Sequence, residues 1–428
     1  MSRHFLLFGL SFILAAPGAS AQEALRVSAA LSLGAVNPGA PSDILKACPK
    51  FEAFRLGGEY PDTQSGLRGV TEVQPDALPL PADDMDRASL IETLKTTLSY
   101  WQKRPDSAKI TLGKDPYTAV QMRRTTQKLL DLFSADLTPE ELRSALRKQF
   151  RIYRSVADDD SGKIVITGYY EVEIKTSRQP DSVNKFPIYL RPWDLVAVPS
   201  SMGLDFDYGR RDSNGKLVRY YSRAEISGGI LKGKDLEIVW SAHPAQIMLL
   251  QIQGSGILRF PDGDFIKAGF DGANGWPFKS VQRILMDCGE ISDMSYKDFI
   301  NYLSHQGGGR EARLVDLNPR YIFFAVRPKD TPAYGAIGTG LIPGRSVAVD
   351  PKPLPLGVTA LIRSKRPVAT AAGGLSFKEF TRFVAAHDTG SAIRGPGRID
   401  LFWGPGETAE TEASSMKEQG DLYVLIAK

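Results

Sequence analysis

The amino-acid sequence predicts a mainly β protein that also carries some helices. Three observations point there. Beyond Arg151 apolar residues recur at strand spacing in one short run after another: "KIVITGYYEVEI" (163–174), "FPIYL" (186–190), "LEIVW" (236–240), "QIMLLQIQ" (246–253) and "ILRF" ahead of the turn "PDGD". Strands return near the end in "RYIFFAV", "GVTALIR", "RIDLFW" and "DLYVLIA". Ahead of Arg151, by contrast, the apolar spacing is helical.

The chain opens with a basic residue, Arg3, an apolar run from Phe5 to Ala16 and the small-x-small site Ala19-Ser20-Ala21, which reads as a secretion signal over residues 1–21. No cysteine follows to take a lipid, so a soluble periplasmic protein beginning at Gln22 is expected. From there to about Asp86 the Pro, Gly, Asp and Ala content predicts irregular structure. Helices are predicted over "ASLIETLKTTLSYWQKR" (88–104), over "DPYTAVQMRRTTQKLLDLF" opening at Asp115-Pro116, and over "TPEELRSALRKQF". In the last, Thr138 and Glu141 form a capping box with Pro139 in the first turn. Two further short helices are predicted in "KSVQRILMDCG" and "SYKDFINYLSH". The Gly- and Pro-dense stretch at 327–344 is the clearest internal boundary, and 175–186 a weaker one.

Two cysteines, Cys48 and Cys288, leave a disulfide and two separate thiols equally open in an exported protein. The formal charge of +4, or +3 without Arg3, is too small and dispersed for nucleic-acid binding. No cofactor or metal is expected, because His243, His305 and His387 are too few and too scattered for a zinc site. His387 reads as a packed or hydrogen-bonded residue. "GGILKGKD" (228–235) fails as a phosphate loop, since Asp235 stands where a hydroxyl must meet magnesium. "QIQGSGI" is no nucleophile elbow around Ser255, because Gln253 and Ile257 replace the two glycines.

Three aspartates in turn-rich surroundings remain. Asp350 and Asp388 end apolar runs, where an Asp commonly accepts backbone N–H bonds and closes a turn. Asp400 lies inside a strand pattern, where Asp is disfavoured. Period-two alternation puts Arg398, Asp400 and Phe402 on one face and Ile399, Leu401 and Trp403 on the core face. A carboxylate in such an aromatic-lined groove, with other carboxylates near it, has its neutral form favoured and suits a general acid in glycosidic cleavage. A structural Asp capping a bend is the alternative reading.

The segments "TGYYEVEI", "FPIYLRP", "SRAEI", "IQGSG", "DGANGWPFKSVQRIL", "NPRYIFF", "GRSVAVDPKPLPLG", "HDTGSAIRG" and "RIDLF" follow one another across residues 163–428. As an ordered set they resemble the membrane-bound lytic murein transglycosylase A family, whose C-terminal piece is named for three aspartates, the 3D domain. The resemblance implies a double-psi β-barrel built from residues 22–175 and 329–428, with a smaller β-barrel inserted at 176–328. It implies a groove for glycan strands of peptidoglycan and cleavage of the β-1,4 bond between N-acetylmuramic acid and N-acetylglucosamine, the muramic C6 hydroxyl attacking its own C1 to leave a 1,6-anhydro end. Asp400 would be the acid/base, with Asp388 and Asp350 lining the same site to orient it or stabilise developing charge. Tyr169, Tyr170 and Glu171 would form a groove wall, and Gln253, Ser255 and Asn274 would take turn-forming or sugar-contacting roles. Outer membrane and cell-wall machinery are the peripheral partners it implies.

The sequence departs from the family at Ser391, where glycine is expected, in lacking a lipid-site cysteine after residue 21, and in the unmatched helical segment before residue 160. Two other readings stand beside a transglycosylase: a hydrolase using Asp388 or Asp350 as base, and a non-catalytic glycan-binding, wall-loosening module.

Overall fold

The computed structural model describes residues 69–79, 82–157, 161–370 and 374–428, all within one compact unit. The leader expected at 1–21, Cys48 and most of the irregular segment before Asp86 lie outside the described residues. Cys288 is disulfide-bonded.

In chain order the strands used below are β1 (Val70–Val73), β2 (Phe150–Ser155), β3 (Ile164–Lys175), β4 (Phe186–Tyr189), β5 (Glu237–Ser241), β6 (Ser255–Arg259), β7 (Phe265–Ala273), β8 (Ile322–Arg327), β9 (Ser346–Val349), β10 (Thr359–Ala369), β11 (Leu375–Thr389), β12 (Arg398–Pro405) and β13 (Lys417–Ala427). The helices are α1 (Arg87–Gln102), α2 (Ala119–Ser134), α3 (Pro139–Gln149), α4 (Pro244–Gln253), α5 (Val281–Asp287), α6 (Tyr296–Ser304), α7 (Gly308–Val315) and α8 (Glu407–Ser415).

Six strands close on themselves in the order β3–β12–β9–β11–β10–β13 and back to β3, forming a barrel. Two of its pairs, β3–β12 and β9–β11, run parallel. This is the double-psi architecture. Alternation along β13 explains why its sequence is almost continuously apolar: Leu422, Val424 and Ile426 fill the barrel, while Tyr423 and Leu425 pack outward under α1 and α2 with Leu94, Leu129 and Phe133. A helical layer covers that face, so both sides of the strand are dry.

The second half of β3 leaves this barrel and enters a smaller one. Val172–Lys175 pairs in parallel with β6, which continues through β7 and β8. Single bridges finish the circuit: Leu190 beside β4 meets Phe324 of β8, β4 pairs with β5, and Trp240 of β5 meets Ser177 just past β3. Helices α4 to α7 pack on this inserted barrel through Met248, Leu250, Ile284, Phe299 and Leu314. Among the described residues no helix is long and apolar enough to cross a membrane.

Two local expectations are corrected. "QIMLLQIQ" is helix α4, not a strand. Pro244 supplies its first turn, Gly254 ends it in the left-handed region at φ 79°, and seven of its ten residues are buried. An apolar run of that length has no period to separate a buried strand from a core helix. The second helix starts at Ala119 and not at Asp115, because Thr118 and Gln121 form a capping box while Asp115–Thr118 pairs as a hairpin with Lys109–Leu112. The capping box at Thr138 and Glu141 is present as expected. Helices α7 and α8 had no counterpart in the sequence reading.

One carboxylate of the barrel ties three neighbouring segments to its own strand. Asp421 of β13 is 2% exposed and receives Lys163 ahead of β3 (2.9 Å), Arg154 of β2 (2.8 Å) and Arg363 of β10 (2.8 Å). Burial pushes this carboxyl up, but the three cations outweigh burial and hold it below the usual carboxylate range. Its folded value lies below its unfolded one, so the stability it gives is present above the unfolded value and lost as pH falls. Asp421→Asn is therefore expected to cost about 2 kcal/mol in urea unfolding at pH 7, with the difference shrinking below about pH 4. An unchanged midpoint at pH 7 would contradict this.

Candidate active site

The site is built where β3 and β12 run side by side. Asp400 sits at the centre of β12, paired with Thr167 of β3 on one side and Ala348 of β9 on the other. Its neighbours Ile399 and Leu401 point into the barrel, leaving the Asp400 side chain on the outer face, half-buried at the floor of a groove. The carboxyl accepts a hydrogen bond from the Thr167 hydroxyl (2.9 Å), and that hydroxyl also receives Arg398 Nη2 (3.2 Å). Burial raises the Asp400 carboxyl, opposed first by the charge of Arg398 and then by the Thr167 bond.

Asp388, at the end of β11, lies on the same floor. Tyr169 donates its hydroxyl to Asp388 Oδ2 (3.0 Å), and the Ala336 N–H donates to Oδ1 (3.0 Å). Burial pushes Asp388 up to about 6, against the hydrogen bonds it accepts from backbone and from Tyr169, while the charge of Asp400 adds to the rise. Two carboxylates close enough to feel one another, both raised from the ordinary carboxylate range, make the local condition for a proton donor near neutral pH. Burial first, then the charges of Asp388 and Asp400, keep the Tyr169 phenol protonated. Its ring packs 5.1 Å from that of Phe402, and Ile393 and Leu341 complete an apolar bed under the carboxylates.

Asp350 is placed elsewhere. It is buried behind the loop that leads into β12, where it accepts the N–H of Gly395 (2.8 Å) and of Lys352 (3.1 Å). It fixes the loop and does not line the groove. Tyr170 and Glu171 follow Tyr169 on β3 and border the groove. Tyr170 points to the inserted barrel's core, with its N–H bonded to Gln253 Oε1 (3.0 Å), and Glu171 pairs with Lys267 (3.1 Å). Gln253 thus clamps α4 to β3, and Ser255 opens β6 at the groove edge. Asn274 is fully buried and spends its amide on the carbonyls of Tyr221 (2.9 Å) and Pro319 (2.8 Å) and on the Tyr321 N–H (2.9 Å). His387 is buried between Thr97 (2.8 Å) and Ser346 (3.0 Å), and burial lowers it to about 4.

The groove itself measures 2730 Å³ and runs between the six-strand barrel and the inserted one. Its far wall presents Trp276, with Arg219 lying over both that ring and Phe206. Aromatic faces beside buried carboxylates are what a sugar polymer needs: flat apolar contact for ring faces and an acid at one bond. Thr167 carried no flag in the sequence. Alternation with Tyr169 and Glu171 would have put it on their face, but its bond to Asp400 depends on a partner 233 residues away.

Comparison with known proteins bears on the fold and its domains. A family model described as the MltA specific insert domain matches residues 165–325, and one described as the 3D domain matches 345–426, together more than half of the chain. Membrane-bound lytic murein transglycosylase A of Vibrio cholerae is 29% identical over 271 residues, covering 62% of this chain and 66% of that protein. The Escherichia coli K12 protein of the same name is 28% identical, covering 62% and 67%. The chain thus spans about two thirds of the length of the curated relatives it matches. The crystal structure of a membrane-bound lytic murein transglycosylase from Agrobacterium tumefaciens is 28% identical with a TM-score of 0.67, covering 84% of this chain and 98% of that one. Escherichia coli MltA with bound chitohexaose shares the fold, at 22% identity and a TM-score of 0.62, covering 86% and 98%. The fold and the relatives are those of lytic murein transglycosylases, an enzyme class of the lyase type acting on peptidoglycan. The chain belongs to the membrane-bound lytic murein transglycosylase A family.

The charge of Arg398 is the strongest influence opposing protonation of Asp400. Arg398→Gln is accordingly expected to raise the pH at which Asp400 loses its proton, read by carbon NMR titration of labelled aspartate carboxyls. A downward shift would contradict the assignment.

Proposed function

We propose that the protein cuts the β-1,4 bond between N-acetylmuramic acid and N-acetylglucosamine in peptidoglycan and closes a 1,6-anhydro ring, with Asp400 as the single acid/base. The observation that carries this reading is the Asp400 carboxyl itself, held by burial toward its protonated form at the floor of a groove wide enough for a glycan strand. The protonated acid gives its proton to the glycosidic oxygen as the C1–O4 bond breaks. The resulting carboxylate then takes the proton of the muramic C6 hydroxyl as O6 bonds to C1. Atoms balance without water, and Asp400 ends the cycle protonated again.

Asp388 supplies negative charge next to the developing oxocarbenium, and Thr167 and Tyr169 fix the two carboxylates relative to each other. Asp350 acts by holding the loop at Gly395. Tyr169 and Glu171 on the β3 side and Gln253 and Ser255 at the edge border the strand's path. The binding of chitohexaose by the Escherichia coli relative supports a groove for β-1,4-linked amino sugars. The division into residues 22–175 with 329–428 and an insert at 176–328, the periplasmic location, and a peripheral association with the outer membrane belong to the same proposal.

Asp400→Asn keeps size and most hydrogen bonding but cannot deliver a proton. It is expected to remain folded by circular dichroism and to lose about 10²- to 10⁴-fold in release of anhydro-muropeptides from purified sacculi, measured by mass spectrometry. Asp388→Asn is expected to lose less. Wild-type turnover by a folded Asp400→Asn protein would remove Asp400 from the reaction. Reducing ends in place of anhydro ends would make the enzyme a hydrolase, and glycan binding with no new ends would leave a binding module.

A further inference from the structure

The groove rim beside Asp400 carries a charge pattern that proton transfer does not use. The loop Ser391–Gly397 is held down at two points, by the bond from Gly395 to Asp350 (2.8 Å) and by Ile393, which buries against Tyr169 and Phe402. Arg394 stands between these anchors. It is exposed, and among the described residues it makes no hydrogen bond or ion pair through its guanidinium. On the inserted barrel Arg320 lines the same cavity, half-buried, with Nη1 donating to the Trp276 carbonyl (3.0 Å). Burial is the main influence lowering the Arg320 guanidinium from its ordinary value. Asp207 opposes that shift, and the charge of Arg394 adds to it, so the two cations act on each other across the groove.

Two guanidinium groups, one from each barrel, therefore line the strand's path with unused donors. Such a fork fits a carboxylate with paired hydrogen bonds, and a bound anion would relieve the repulsion between them. We propose that Arg394 and Arg320 form a clamp for a carboxylate on the muramyl side of the substrate, so that the enzyme favours muramyl strands over uncharged amino-sugar polymers. The inference rests on the glycan-strand reading of the groove given above. Muramyl strands offer this chemistry from two sources: the acids of the peptide stem, or the lactyl carboxylate when the stem has been removed.

The test measures binding of three probes in the Asp400→Asn background: stem-bearing muramyl oligomers, the same oligomers stripped of stems by an amidase, and chitohexaose. Arg394→Gln is expected to weaken stem-bearing oligomers roughly tenfold while leaving chitohexaose within about twofold, and Arg394→Lys to recover part of the loss. Arg320→Gln is expected to do the same, and the exposed position of Arg394 keeps the test decisive if the Arg320 variant fails to fold. Loss confined to stem-bearing oligomers assigns the acids of the stem, and loss on stripped oligomers as well shows that the clamp also takes the lactyl carboxylate that stem removal frees. Equal weakening of chitohexaose, or unchanged affinity for all three probes, overturns the clamp. Absence of anhydro ends from the wild-type enzyme would instead sink the transglycosylase reading and leave the binding comparison standing.

Discussion

One strand, β3, belongs to two barrels, and the placement of the site depends on it. Its first half closes the six-strand barrel against β12 and β13, and its second half starts the inserted barrel against β6. A groove between two separately closed barrels would be free to change width if a flexible linker joined them. Here the joint is a continuous twelve-residue strand, hydrogen-bonded on both halves, so the two groove walls share one rigid piece of backbone. Thr167, Tyr169 and Glu171 lie on that piece. Two of them hold the carboxylates, and the third meets a lysine of the inserted barrel.

The same arrangement sets the electrostatics. Each carboxylate at the groove floor is pulled in two directions, upward by burial and downward by the donors that hold it. Asp421, two strands away around the same barrel, has three cations and stays ionised, whereas Asp400 has one arginine and one hydroxyl, and burial wins. The contrast is a matter of how many opposing charges reach each group, and it separates a structural carboxylate from a proton donor within one fold. His387, next in sequence to Asp388, takes no part because burial keeps its ring neutral between two hydroxyl groups.

Much of this was legible in the sequence, and the failures have physical causes. The capping box at Thr138 and Glu141 is a local pattern and located its helix. Asp400 stood out because a carboxylate in a strand contradicts its surroundings, and alternation put Ile399 and Leu401 on the core side. Alternation also put Phe402 on the Asp400 face, where it packs with Tyr169 in the apolar bed of the groove. Helix α4 was misread because a short, mostly buried apolar run has no period that separates a strand from a helix. Asp350 reads in sequence like Asp388, since both end apolar runs, but only the folded loop shows that Asp350 accepts the N–H groups of Gly395 and Lys352. The Thr167 bond and the placing of Arg320 and Arg394 on one groove depend on pairings between distant segments, which no local pattern encodes.

The central claim is that a single acid suffices because the substrate supplies its own nucleophile. Digestion of sacculi in water enriched in oxygen-18 tests this most directly, since the nucleophile leaves its oxygen on C1. Intramolecular attack by the C6 hydroxyl predicts muropeptide products 18 mass units lighter than their hydrated counterparts and free of oxygen-18 at the new terminus. Incorporation of one oxygen-18 per bond cut, with a reducing end formed, would show that water is the nucleophile and contradict the account.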